Sequence, residues 1–435
     1  MGSDLFSGLL AEELLLVLLL TLMLPEMLKV SPRIADALVK LVLFAACAIL
    51  LRQYAQGYDV DLMPGEVSVD RFAVLAKLVL LGCALLLTLV SPVSATFKSG
   101  FLVCSSLLGA LVMMDSAGFI PLFIGIEMLS LPAFALMLSG TGTTSASEGA
   151  FKYLVLSSIA SALLLFGIAF AYGITGTLNI ADFAQAVGAG SSPAVAAGIL
   201  VASGFFLKAA VFPFHGWAPD AYSSARLQVT SFLASIVKGA VILALVRIFA
   251  TVDLNSATFA IIAVLSLLSI YYGNIAAIRQ RNFKRLLAYS SISHAGYMLV
   301  AFIDTTGGRV ADLLWYVAIY AATVIVACAS FAILCPGERD DVQATDGAFQ
   351  SHPLAALVFG LAMLSLAGLP PLPGFFAKLF IFSSVIASQY LAAAIIAFVG
   401  SFIGVTYYLA LFFRLFATDA RSPLVDSKQS GTLVK

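Results

Sequence analysis

Residues 206–217 read Phe-Leu-Lys-Ala-Ala-Val-Phe-Pro-Phe-His-Gly-Trp, and residues 368–378 read Gly-Leu-Pro-Pro-Leu-Pro-Gly-Phe-Phe-Ala-Lys. Each sets a lysine beside a proline-containing break in an otherwise apolar run. Proline has no backbone N–H and its ring clashes with the preceding turn, so neither run continues as one straight helix. The first break closes an apolar run at 194–214. The second interrupts a run at 353–387, too long for one straight crossing, and two half-helices are expected there.

The rest of the chain places these breaks in a bilayer. Of 435 residues, 61% are hydrophobic and 11% charged, against about 25% charged in soluble domains. Mean hydropathy is +1.06. Runs close to the ~20 residues that cross a bilayer as a helix recur at 9–28, 34–55, 70–91, 98–114, 117–138, 150–174, 194–214, 227–250, 257–278, 284–303, 311–335, 353–387 and 390–417. The first run carries Glu12 and Glu13 near its start, lacks a basic leader and has no small-residue cleavage site behind it. It therefore reads as a span, not a signal peptide. The fold class is an all-α polytopic membrane protein of about thirteen transmembrane helices, with helices 7 and 12 broken.

The pairs Lys208/Pro213 and Lys378/Pro373 lie five spans apart. An odd offset reverses direction in the membrane, so two inverted five-helix repeats are expected, and broken helices at matching places point to a transport site. The domains are then a three-helix segment at 1–94, a first repeat at 95–250, a second at 251–417 and a polar tail at 418–435. Lysine and arginine gather after odd-numbered spans: Lys29, Arg33, Lys98, Arg226, Arg279, Arg281, Lys284, Arg285 and Arg339. The 56–71 loop is acidic and the 175–193 loop has no Lys or Arg. The positive-inside rule puts the N-terminus outside and the C-terminus in the cytoplasm.

Net charge is zero, which removes the electrostatic case for nucleic acid. The cysteines Cys47, Cys83, Cys104, Cys328 and Cys335 form no CxxC pair, so neither zinc nor iron–sulfur ligation is expected and they read as small buried hydrophobes. Gly140-Thr-Gly142 lacks a preceding strand and reads as a loop.

The ionisable residues within spans divide into two groups. Lys40, Arg52, Lys77, Lys152, Arg247 and Arg414 lie within a turn or two of a span end, where long stems are expected to snorkel to the interface. Glu127, Lys208, Lys238 and Lys378 do not. Glu127 lies ten residues into its span, about 15 Å deep. A charge at the bilayer centre costs at least ~2.5–3.5 kcal/mol. A purely structural reading makes these two ion pairs that join helices, but three cations face one acid. A buried amine lacking a full counter-charge releases its proton more readily than one in water, which suits proton transfer. A neighbouring carboxylate acts in the opposite sense, and withdrawing it would free the proton. His294 sits mid-span in Ser290-Ser291-Ile292-Ser293-His294 and reads as a relay between the halves, the alternative being a histidine bonded to a neighbouring helix. His215 is expected to be structural and His352 to lie at the surface.

The ordered motifs resemble one family. Gly125-Ile126-Glu127-Met128-Leu129-Ser130-Leu131-Pro132 resembles the fifth-helix motif of the antiporter-like, proton-translocating subunits of respiratory complex I, the NADH–quinone oxidoreductase. Residues 206–222 are similar to the seventh-helix signature, Val229–Leu233 with Lys238 to the eighth, Asn282–His294 to the entry of the tenth and Gly368–Lys378 to the twelfth. The resemblance covers roughly residues 95–415. A lysine at position 378 and a short chain point to the N-type branch, since siblings are longer or carry glutamate there.

The resemblance implies that Glu127 and Lys208 pair in a first half-channel, that Lys238 and His294 continue a central axis, and that Lys378 serves a second half-channel. It implies membrane subunits of complex I, lipid and protons as partners. No cofactor belongs to this chain; the complex would supply FMN, iron–sulfur clusters and quinone. The setting would be the bacterial inner membrane. Membrane-bound hydrogenases, F420H2 dehydrogenases and multi-subunit cation/proton antiporters share these charged positions and remain alternatives. Two departures stand out. The usual Gly-Ala-Pro turn before helix eight is replaced by Ser223-Ser224-Ala225-Arg226-Leu227. The fourteenth helix usual in N-type subunits is replaced by a polar stretch from Thr418 to Lys435, which leaves the partner surface at that end open.

Overall fold

The computed structural model describes residues 7–28, 31–139, 144–249, 252, 256–305, 307–337 and 340–417. Gly140-Thr-Gly142 and the polar tail lie outside the described residues. Helix dominates, as hydropathy dictates, because a chain in lipid must satisfy its backbone hydrogen bonds within itself. The helices are α1 (Leu10–Leu28), α2 (Pro32–Ala55), α3 (Arg71–Val90), α4 (Phe97–Met114), α5 (Phe119–Leu138), α6 (Thr144–Thr175), α7 (Ile180–Gly188), α8 (Ser192–Ala209), α9 (Ala218–Ser224), α10 (Leu227–Phe249), α11 (Ser256–Ile278), α12 (Phe283–Ile303), α13 (Arg309–Leu334), α14 (Pro353–Ala367), α15 (Pro373–Ala387) and α16 (Leu391–Arg414). Every expected span coincides with one of these or, at 353–387, with the half-helices α14 and α15. Eleven of the described helices are long and apolar enough to cross a membrane.

Local chemistry marks the helix starts. Asp70 accepts a hydrogen bond from the Ala73 amide at 2.7 Å and opens α3. Thr96 and Ser99 form a reciprocal capping box at α4. Asn282 accepts from the Arg285 amide at α12. Prolines at the first or second position begin α2, α8, α9, α14 and α15, where their missing N–H costs nothing.

Three features depart from the expectations. The acidic 56–71 loop folds into a hairpin of β1 (Val60–Met63) and β2 (Val67–Val69). The 175–193 loop contains the helix α7. The chain does not stop at the seventh break but resumes as α9, packed against α6 and α12. The altered turn before α10 consists of two extended residues, Ala225 and Arg226. The Ala225 carbonyl accepts a 2.6 Å hydrogen bond from Lys284 Nζ.

One pairing recurs. α4 packs on α5 and α6 on α8, while α11 packs on α12 and α13 on α14. The first pair in each set uses glycine for close approach. A Cβ on Gly125 of α5 would lie 2.8 Å from the Gly109 carbonyl of α4, and a Cβ on Gly273 of α11 would lie 2.7 Å from the Tyr289 carbonyl of α12. Small residues let membrane helices touch along their backbones. The helices α10 and α12 are the most enclosed, 89% and 94% of an 18-residue stretch of each being buried. They carry Lys238 and His294.

Candidate functional site

The site begins at the α5–α8 crossing. Lys208 is the last but one residue of α8 and is buried. Its Nζ lies 3.5 Å from Glu127 Oε1, and donates to Ser130 Oγ at 2.9 Å and Ser157 Oγ at 3.0 Å. Glu127 also accepts from the Ser161 hydroxyl. The carboxylate side chain keeps 29% exposure, so it sits at the flank of the crossing. The expected pair therefore forms, but loosely, and two serines solvate the ammonium more closely than the acid does. The signal for these serines lies in the motif: Ser130 is one turn from Glu127, and Ser157 and Ser161 are one turn apart on α6.

The end of α8 explains the lysine's direction. Ala210 adopts a left-handed conformation (φ 56°) and ends the helix. The Leu207 carbonyl, which accepts from the Ala210 amide at 3.2 Å, also accepts from Trp217 Nε1 at 2.8 Å. With that acceptor occupied, Lys208 turns to side chains on α5 and α6. A cavity of about 10 Å³ lined by Lys208, Ser130, Ser157, Trp217 and Val237 separates it from the next helix, space for about one water.

Lys238 follows directly on a π-helical turn, Leu233–Val237, inside α10. Such turns mark functional sites often. Its Nζ donates to Ser291 Oγ at 2.8 Å and to the Ser291 carbonyl at 2.9 Å. No carboxylate pairs with it among the described residues. Ser291 and His294 share one face of α12. His294 is buried, with Nδ1 2.8 Å from Tyr316 Oη and Nε2 3.3 Å from Tyr408 Oη. Tyr320 stacks over its ring at 4.7 Å, and Tyr408 also bonds Ser290. From Tyr408 the contacts run through the Tyr407 ring at 4.3 Å, Tyr407 to Asn274 at 3.0 Å and Asn274 to Tyr297 at 3.1 Å.

Tyr297 ends this line against Lys378, whose Nζ lies 4.8 Å from its ring centre. Lys378 also donates to the carbonyls of Ala367 at 2.9 Å and Leu366 at 3.3 Å, and to Ser401 Oγ at 2.8 Å. The two carbonyls belong to the last turn of α14 and were orphaned by the break at Gly368. The lysine caps them and meets the negative end of that helix dipole. The structure thus brings Glu127 to Lys208, Lys238 to the serines of α12, and His294 to a tyrosine cluster that reaches Lys378. The tyrosines and Ser401 carried no mark in the sequence beyond their place in apolar runs.

Two expected snorkelling residues prove otherwise. Lys77 is fully buried, 2.9 Å from both Glu12 Oε1 of α1 and Asp115 Oδ1 after α4. The helices on either side of α3 close its route to the interface. Arg247 reaches into the hairpin end, donating to the Ser116 carbonyl at 2.5 Å, the Ser68 carbonyl at 3.1 Å and Asp70 at 3.0 Å. Lys40 and Lys152 do stay part-exposed, in ion pairs with Asp36 and with Glu148 and Asp220. His215 stacks between Phe212 and Tyr272, and His352 is exposed at the start of α14. The five cysteines are free thiols. Among the described residues no cluster of His, Cys, Asp and Glu could hold a metal.

Comparison with known proteins adds a family context. Residues 116–404 match the membrane-domain model described as NADH:quinone oxidoreductase/Mrp antiporter. The chain is 53% identical to NADH-quinone oxidoreductase subunit N of Pelobacter propionicus, over 97% of this chain and 91% of that protein. It is 32% identical to the protein of that name in Rubrobacter xylanophilus, over 86% and 80%. A chain of respiratory complex I from Thermus thermophilus superposes with a TM-score of 0.83 at 33% identity, covering 94% of this chain and 90% of that one. A chain of the Mrp complex from Dietzia superposes at 0.85 and 25% identity, covering 96% and 81%.

Proposed function

Because this chain belongs to the NADH:quinone oxidoreductase/Mrp antiporter membrane-subunit family, we propose that it is the N-type subunit of a quinone-reducing NADH dehydrogenase and moves protons in response to redox chemistry in other subunits. It is a multi-pass membrane subunit of an enzyme complex. The observation that carries the proton-transfer reading is the line of buried ionisable and hydroxyl groups through the interior of the bundle, from Glu127 to Lys378. A solute carrier needs polar groups converging on a ligand. Here single proton-bearing groups run from His294 to Lys378 at hydrogen-bond or ring-contact distance, Lys238 joins the same helix through Ser291, and a water-sized cavity lies beside Lys208.

In this reading Glu127 and Lys208 load the first repeat, Lys238 and His294 carry charge along the axis, and Lys378 serves the second repeat. The repeats occupy 95–250 and 251–417 and are inverted relative to one another, behind a three-helix segment at 1–94. The recurring helix pairs and glycine crossings support that division. The basic loops support an outside N-terminus and a cytoplasmic C-terminus in a bacterial inner membrane. FMN, iron–sulfur clusters and quinone belong to partner subunits.

Replacing Lys238 by alanine in the assembled complex is the direct test. Assembly with pumping lost supports the reading, and assembly with pumping unchanged overturns it. The likeness to the Mrp chain keeps a cation/proton antiporter complex as a second reading. Co-purification decides between them: quinone-reducing partners support the first, antiporter subunits the second.

A further inference from the structure

The Lys77 cluster stands apart from the line just described and has an unbalanced charge. Lys77, Glu12 and Asp115 are 0%, 7% and 2% exposed. One ammonium faces two carboxylates, at 2.9 Å to each. Glu12 Oε2 is buried with no hydrogen-bond partner, although it belongs to a side chain more than nine-tenths enclosed. Glu12 Oε1 and Asp115 Oδ1 each lie 2.9 Å from the same Lys77 Nζ, so the two acids share one enclosed site. Carboxylates that share a buried site do not both ionise, and an uncompensated charge in such a place costs several kcal/mol. Lys77 Nζ already occupies the centre of the cluster, so a metal cation has no seat between the acids.

We propose that Glu12 and Asp115 hold one proton between them, so that Lys77, Glu12 and Asp115 form a neutral, buried proton-binding site separate from the Glu127–Lys378 line. The proton concerned is a single O–H on one of the two carboxyls, with the ammonium balancing the charge of the other. Charged groups near this end of the fold include Arg247 and Asp70, paired with each other, and Glu66 on the hairpin, whose carbonyl accepts from the Ala117 amide. From α2 the neutral Gln53 packs nearby, donating to the Ser7 and Gly8 carbonyls. Arg247 links the site to the axis: its Nε holds the Ser116 carbonyl, next to Asp115, while its helix α10 carries Lys238 two and a half turns away.

The test is infrared spectroscopy of the purified, assembled complex with Glu12→Gln, Asp115→Asn and the double variant. A neutral amide copies a protonated acid, so at least one single variant is expected to assemble and pump within about twofold of the original. That variant is expected to lose a deuterium-sensitive carboxylic C=O band that the original shows. The double variant strands the ammonium and is expected to lose most of its assembled complex. An unchanged band in the assembled single variants overturns the proposal, as does failure of both single variants to assemble, because then no neutral group replaces either acid.

Discussion

The two broken helices hold their lysines by different means. Lys208 precedes its break, and the Leu207 carbonyl there is taken by the Ala210 amide and by Trp217. The ammonium is left to two serines and a half-exposed acid 3.5 Å away. Lys378 follows its break and takes the freed carbonyls of Leu366 and Ala367 itself, with Ser401 and the face of Tyr297. The first lysine is balanced by a full charge that a small movement of α5 or a partner can weaken. The second is balanced by backbone dipoles that cannot leave. The same local device, a proline break beside a lysine, therefore yields an adjustable site in one half and a fixed one in the other.

Several substitutions test that contrast. Lys238→Met, which removes the cation between the two breaks, is expected to lower pumping by the assembled complex about tenfold or more, at roughly 1.4 kcal/mol per decade. An unchanged rate measured in proteoliposomes would show that the two halves need no connection. Glu127→Gln should slow pumping about three- to tenfold, because Lys208 keeps its serines but loses its paired acid; no change would make the first site as fixed as the second. Trp217→Phe leaves the Leu207 carbonyl with only the 3.2 Å bond from the Ala210 amide, a loss of a net ~1 kcal/mol, and is expected to lower the thermal midpoint of the complex. If stability holds, Lys208 has turned to that carbonyl as Lys378 does, and the contrast disappears. Ser401→Ala should have the smallest effect, within about twofold on pumping, since two carbonyls and a ring remain around Lys378 at a net ~1 kcal/mol per hydrogen bond.

The neighbouring lysines Lys40 and Lys77 show where local reading stops. Both lie about two turns into apolar helices, and only Asp36, one turn before Lys40, separates them locally. Lys40 lies on α2, where 28% of an 18-residue stretch is buried, and its side chain remains 31% exposed beside Asp36. Lys77 lies on α3, where 56% of an 18-residue stretch is buried, and is enclosed by Glu12 of α1 and Asp115 after α4. Snorkelling depends on whether a neighbouring helix covers the path to the interface, and sequence spacing contains no information about that neighbour.

The hairpin at 60–69 was hidden for a related reason. Its acidic residues marked a loop, whereas its pairing depends on Ser116 and Asp115, which lie beyond two helices. His294 was legible as a buried titratable group. Its tyrosine partners were not, because Tyr316 and Tyr408 come from α13 and α16 and look in sequence like ordinary aromatic core.

Hydropathy alone was enough to set the spans, because lipid forces each apolar run of that length to satisfy its own backbone as a helix. Proline chemistry marked both breaks, and the cost of burying charge singled out Glu127, Lys208, Lys238 and Lys378. Those inferences need only the residue and its place along its own helix. The serines and tyrosines that connect the charges, the loose fit of Glu127, the carbonyl cage of Lys378 and the burial of Lys77 arise between helices. They depend on the rotation and neighbours of each helix, which only the packed bundle decides.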